Sequence, residues 1–118
     1  MNIEELRLFC IAKQGVEEGF PFGSHIIVFK VMGKVFLITD LNQHPLQFNV
    51  KCNPEKAIEL RERYTCVIPG FHMNKKHWNT IIADGSVSSA LLQEWITDSY
   101  NCVVTKLPKI MRKELDKL

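Results

Sequence analysis

Leu46, Phe48 and Val50 alternate with Gln47, Asn49 and Lys51. That period of two describes a strand with one packed and one wetted face. Asn53-Pro54 follows at once, an N-cap residue with proline at the first helical position, leading into EKAIELRER. A half-buried strand running straight into a helix, with Ala57, Ile58, Leu60 and Arg61 on or near the buried side, demands a sheet covered by helices. The remaining segments extend this pattern. Asn2 and Glu5 have capping-box spacing before Ile3, Leu6, Phe9 and Cys10, which predicts a first helix from about Ile3 to Lys13. The stretch with Glu17, Glu18, Phe20, Pro21 and Phe22 reads as irregular because of its glycine and proline. HIIVFKV and KVFLITD, separated by Met32-Gly33, read as a hairpin.

After the second helix the chain passes Cys66-Val67-Ile68 to a Pro69-Gly70 turn, and His77 to Ala83 reads as a further strand closed by Asp84-Gly85. Ser88 or Ser89 caps a long helix in which Leu91, Leu92, Trp95, Ile96, Ser99, Cys102 and Val103 recur near every 3.6 residues. Pro108 ends it, and KIMRKELDKL makes a short amphipathic helix. The expected architecture is α+β: a two-layer sandwich in which an antiparallel sheet carries its helices on one face. Its 118 residues make one domain, residues 1 to 118, large enough to bury a core without disulfides or metal.

Several function classes lose support. Cys10, Cys52, Cys66 and Cys102 include no Cys-x-x-Cys pair, so neither a zinc clamp nor a thioredoxin-type motif is present, and reduced, buried thiols are expected. There is no Gly-x-Ser-x-Gly elbow and no phosphate-loop glycine pattern. Ser24 and His25 are neighbours that a strand would point to opposite faces. His72 and His77 are five apart, off the helical metal-binding spacing. No catalytic residues, metal ligands or cofactor are assigned. No apolar run approaches the roughly 20 residues that span a bilayer, and MNIEELRLF lacks the basic start of a secretory signal. Cytoplasmic residence is expected.

One segment is chemically unusual. Tyr64 to Gly85, YTCVIPGFHMNKKHWNTIIADG, gathers two histidines, two adjacent lysines, two asparagines, a phenylalanine and a tryptophan around a turn. Lys75 and Lys76 suit phosphates, Asn74 and Asn79 donate and accept, and Phe71 and Trp78 offer flat faces to bases. Overall charge decides little, at +2. Its distribution favours the second half: residues 64 to 118 carry seven basic against five acidic side chains, while residues 1 to 63 are balanced. A polyanion-binding surface is therefore expected, with Lys75 and Lys76 as phosphate contacts, His72, Asn74 and His77 as polar contacts, and Lys51 as a supporting charge. Lys30 and Lys34, flanking the hairpin tip, add a wing-type contact. Lys106, Lys109, Arg112, Lys113 and Lys117 extend the positive stripe. The alternative is a protein-interaction or small-ligand module with its pocket between Pro69-Gly70 and Phe20-Pro21-Phe22.

These residues also carry a resemblance. Phe20-Pro21-Phe22, LQFNVKCNP from Leu46, VIPGFHMNKKHWNT from Val67, Asp84-Gly85 and VVTKLPKIMR from Val104 resemble the MmcQ/YjbR-like family of small bacterial proteins, over almost the full length. The resemblance implies a fold similar to the frataxin-like (CyaY-like) sandwich and a double-wing mode of DNA binding, with no enzymatic activity and no cofactor. The dense acidic ridge of iron-handling frataxin relatives is missing from the first helix, where Glu4 and Glu5 are followed by Arg7 and Lys13. That departure argues against an iron-donor role.

Overall fold

The computed structural model describes residues 1–71 and 73–118; His72, expected as a polar contact, lies outside the described residues. The elements are α1 (Ile3–Ile11), β1 (Val16–Gly19), β2 (Ile26–Val31), β3 (Lys34–Asp40), β4 (Gln47–Lys51), α2 (Pro54–Arg63), β5 (Val67–Pro69), β6 (Trp78–Ile82), α3 (Ser89–Thr105) and α4 (Lys109–Asp116). One antiparallel sheet of order β1-β2-β3-β4-β6-β5 carries the helices on one face, the α+β two-layer arrangement.

The caps form as the residues dictate. The side chain of Asn2 accepts from the Glu5 amide, Asn53 from Glu55, and Ser88, rather than Ser89, from Leu91. Met32 (φ 49°) and Gly33 (φ 80°) both adopt positive φ at the β2–β3 turn, the backbone that matches the twist of a two-residue hairpin.

Alternation sorts the sheet into two faces. Ile27, Thr39, Phe48, Ile81 and Val67 are successive register partners across five strands and all are buried beneath the helices. The neighbouring row, Val28, Ile38, Asn49, Thr80 and Ile68, lies on the opposite face, which no helix covers. Phe29, Phe36, Phe48, Leu6 and Ile96 fill the core with Trp95, whose ring meets Tyr64 edge-on at 5.1 Å. Burying such a side chain stabilises the fold by about 1.5–3 kcal/mol. Ser99 on α3 is buried among them because it is fully used: its hydroxyl donates to Phe36 O at 2.6 Å and accepts from Lys51 N at 2.7 Å. This bond fixes the end of β4 under α3.

Two expectations need correction. The segment Val16–Gly19, read as irregular, is an edge strand paired with β2. VEEG has poor strand propensity, but an edge position tolerates charge, and Glu18 also grips Arg7 of α1 through two bonds of 2.6 and 2.7 Å. Ile58 is half exposed rather than packed; Ala57 and Leu60 carry the contact of α2. Cys10, Cys52 and Cys66 are buried free thiols, and burial pushes the Cys10 thiol up to about 12.

Candidate nucleic-acid interface and a cleft on the open sheet face

The β5–β6 connection that carries Lys75 and Lys76 is built on backbone contacts rather than on a core of its own. Gly70 N donates to Trp78 O at 2.9 Å, and a Cβ at Gly70 would stand 2.9 Å from both Trp78 Cβ and Trp78 O, so only glycine permits this approach. Asn74 turns the chain: its side-chain oxygen accepts from Lys76 N at 2.9 Å, and its carbonyl accepts from His77 N and Trp78 N at 3.3 and 3.0 Å. The Asn74 amide oxygen is thereby committed to the turn. His77 is seated by its own carbonyl, which accepts from Cys52 N at 2.8 Å just beyond β4.

Arg61 clamps the loop from below. Its Nε donates to Asn79 Oδ1 at 2.6 Å, and its Nη2 donates to Lys75 O and, at 3.4 Å, to Trp78 O. Asn79 in turn donates to Ala57 O at 3.2 Å and is 1% exposed. Asn79, named above as a donor and acceptor for a partner, is instead spent inside the protein. Placing Arg61 on the buried side of its helix was readable from the sequence. Its grip on a loop fourteen residues away had no local signal.

The antiparallel register brings the start of β3, the end of β4 and the start of β6 to one end of the sheet, beside the C-terminus of α3. Lys34, Lys51 and Lys106 line one shallow pocket of about 300 Å³ there. Lys106, Lys51 and Lys76 also act together on His77. Loss of solvation, and then these three ammonium charges in that order, hold its imidazole below the ordinary 6.5. Nδ1 is shut from solvent and has no hydrogen-bond partner among the described residues. The two ion pairs among the described residues, Arg7–Glu18 and Lys56–Asp98, involve none of these lysines. The end of the sheet thus gathers ammonium groups that no ion pair among the described residues ties up.

Other expected contacts fall elsewhere. Lys75 is exposed and shares the loop without taking part in the field at His77. Lys30 pairs in register with Glu17 and lines a separate surface with Glu17 and Glu18, apart from the sheet-end lysines. Lys109, Arg112, Lys113 and Lys117 stand exposed on α4 and the tail, and of the C-terminal cations only Lys106 joins the group. Trp78 is half buried above Lys51, its register partner.

A titration follows from this arrangement. Because the fold holds His77 below its ordinary value, the unfolded chain binds more protons below about pH 6.5, so this group costs stability as pH falls through that value and nothing above it. In an NMR titration the His77 ring protons are expected to show a midpoint below 6.5, rising when a polyanion neutralises the lysines. A midpoint unmoved by polyanion would place its binding elsewhere.

On the open face lies a cleft of about 610 Å³. Ile38, Asn49 and Thr80 form its floor, and Phe22 from the β1–β2 connection and Phe71 from the β5–β6 connection stand at its sides. Phe71 N donates to Thr80 Oγ1 at 2.9 Å, and the same hydroxyl donates to Asn49 Oδ1. Of the Phe20-Pro21-Phe22 segment only Phe22 reaches the cleft; Phe20 and Pro21 line the surface with Glu17 and Glu18. Among the described residues no three His, Cys, Asp or Glu side chains are grouped to hold a metal, and no helix is long and apolar enough to cross a membrane.

A family model described as YjbR matches residues 11–102. A protein of Escherichia coli O157:H7, uncharacterized protein YbdF, is 38% identical over 100 residues, covering 85% of this chain and 82% of its own length. The uncharacterized protein YjbR of Escherichia coli K12 is 32% identical over 118 residues, the full length of both. The crystal structure of Deinococcus radiodurans DR2400, a DUF419 protein, superposes with a TM-score of 0.91 at 39% identity, over 98% of this chain and 88% of that one. A Pseudomonas syringae protein shares the fold at a TM-score of 0.74 and 22% identity, over 86% of this chain and 98% of that one.

Proposed function

We propose that this chain, which belongs to the YjbR family, is a non-enzymatic, cytoplasmic DNA-binding protein that holds duplex mainly through its phosphates. The observation that carries this reading is the group Lys34, Lys51, Lys76 and Lys106 at one end of the sheet, none in an ion pair among the described residues, three of which (Lys106, Lys51 and Lys76) add to desolvation in lowering His77. A cluster of solvated ammonium groups attracts a polyanion over a distance comparable to the Debye length, and its contacts release condensed counterions. The hairpin tip at Met32-Gly33 and the turn from Asn74 to His77 flank this end and serve as two projecting contacts, the double-wing mode implied by the resemblance. His77 and the exposed amide of Asn74 supply neutral hydrogen bonds beside the charges.

Fluorescence anisotropy with random duplex at low and moderate salt tests the proposal. Affinity is expected to fall steeply with salt, and Lys75→Ala with Lys76→Ala to reduce the slope of log affinity against log salt by about one to two. Salt-independent binding, or none at low salt, overturns it.

A further inference from the structure

The cleft on the open sheet face takes no part in the phosphate reading, and its chemistry differs from that of the lysine end. We propose that it binds a planar heteroaromatic ring with a hydrogen-bonding edge, the chemistry of a nucleobase. Three features select that class. Phe22 and Phe71 line the cleft at 64% and 65% exposure, and the Phe22 ring presents much of its apolar surface to water. An exposed aromatic face of this kind stacks on any base. Between them the floor is apolar at Ile38 and polar at Asn49 and Gln47. Asn49 Oδ1 is held by the Thr80 hydroxyl, while its amide nitrogen and both polar atoms of the Gln47 side chain bond to nothing among the described residues. Amide side chains present a donor and an acceptor side by side, the pattern that reads the edge of a base.

Charge completes the selection. Among the described residues lining the cleft Asp40 is the only charged one, and one of its oxygens already accepts from Asn42 N at 2.9 Å. A neutral ring or one bearing an amino group is accepted there, and a carboxylate or phosphate is repelled. The volume, about 610 Å³, lies within the range of small-molecule sites. The Phe71 wall is also preorganised, since its backbone is pinned to the floor through Thr80. Two sources supply such a ring: a free nucleoside, or an unpaired base of a strand whose phosphates lie along Lys75 and Lys76, in the same loop as the lining residue Met73. The nucleoside source is independent of DNA binding at the lysine end; the strand source rests on it.

The test is an amide NMR titration of the full chain with adenosine, guanosine, cytidine and thymidine, with benzoate as an anionic planar control. It is paired with anisotropy on a short single strand and on duplex. At least one nucleoside is expected to move the amides of Asn49, Thr80 and Gln47 saturably while benzoate leaves them in place, and Phe22→Ala to weaken that binding about fivefold or more. Phe22 is exposed, so the variant keeps its core. If Phe22→Ala also weakens single strand but not duplex, the source is a base in a strand; if only the nucleoside responds, it is a free nucleoside. The same variant leaving both nucleoside and single-strand binding unchanged overturns the proposal, as does benzoate matching the nucleosides or silence of the cleft amides toward every nucleoside and strand.

Discussion

Replacing Lys34, Lys51, Lys76 and Lys106 together by alanine is expected to lower affinity for random duplex by about three to four orders of magnitude near 0.1 M salt, and to reduce the salt slope by about three to four. The arithmetic rests on roughly 0.9 counterions released per phosphate contact, so four contacts contribute close to a factor of ten each at that salt. Stability should barely change. None of the four side chains is in an ion pair among the described residues, and three of them are exposed, with Lys51 half buried. The variant shifts the formal net charge from +2 to −2. A matched control therefore replaces Lys109, Arg112, Lys113 and Lys117, which changes net charge equally but lies on α4 and the tail. If the control loses as much affinity as the sheet-end variant, net charge rather than a local site is responsible, and the site assignment fails.

Arg61→Ala is expected to destabilise the protein by about 2–4 kcal/mol in urea unfolding. The guanidinium satisfies the buried Asn79 oxygen and the carbonyls of Lys75 and Trp78 at once. Truncation leaves the Asn79 oxygen inside the protein without its charged donor and frees the loop from α2, and an unsatisfied buried acceptor costs more than the bond was worth. Arg61→Lys restores the charge without the planar fork, so it should recover less than half of the loss. A double-mutant cycle with Asn79→Ala isolates the pair and should return a coupling of about 1–3 kcal/mol. The loop carries Lys75 and Lys76, so Arg61→Ala should also weaken duplex binding although Arg61 itself need touch no phosphate. A destabilisation below about 0.5 kcal/mol would show that Gly70 and Asn74 suffice to hold the loop.

The elements with strong local signals are where the sequence places them. Asn53-Pro54 opens α2, Met32-Gly33 turns the hairpin, and the stripe of Leu92, Trp95, Ile96, Ser99 and Val103 buries α3. These features depend on residues a few positions apart, whose preferences are written in side-chain shape and backbone freedom. β1 was not legible, because VEEG forms a strand only when β2 is beside it and Arg7 is within reach of Glu18. Asn79 misled for a similar reason: an amide in a polar run looks available until the pleat turns it toward Ala57 and Arg61.

The site divides along the same line. Residue types alone established that the segment after the second helix is cationic, amide-rich and aromatic, and that the chain holds the makings of a helix-covered antiparallel sheet. Which cations act together was settled by register: pairing β3 with β4 and β4 with β6 carries Lys34, Lys51 and His77 to one end, where α3 delivers Lys106, while Lys30 is turned toward Glu17. The cleft is likewise a product of assembly, since its floor draws residues from several strands and its walls from two loops far apart in the chain. Composition is carried by single residues, but an electrostatic field and a concave surface exist only once distant segments are fixed in space.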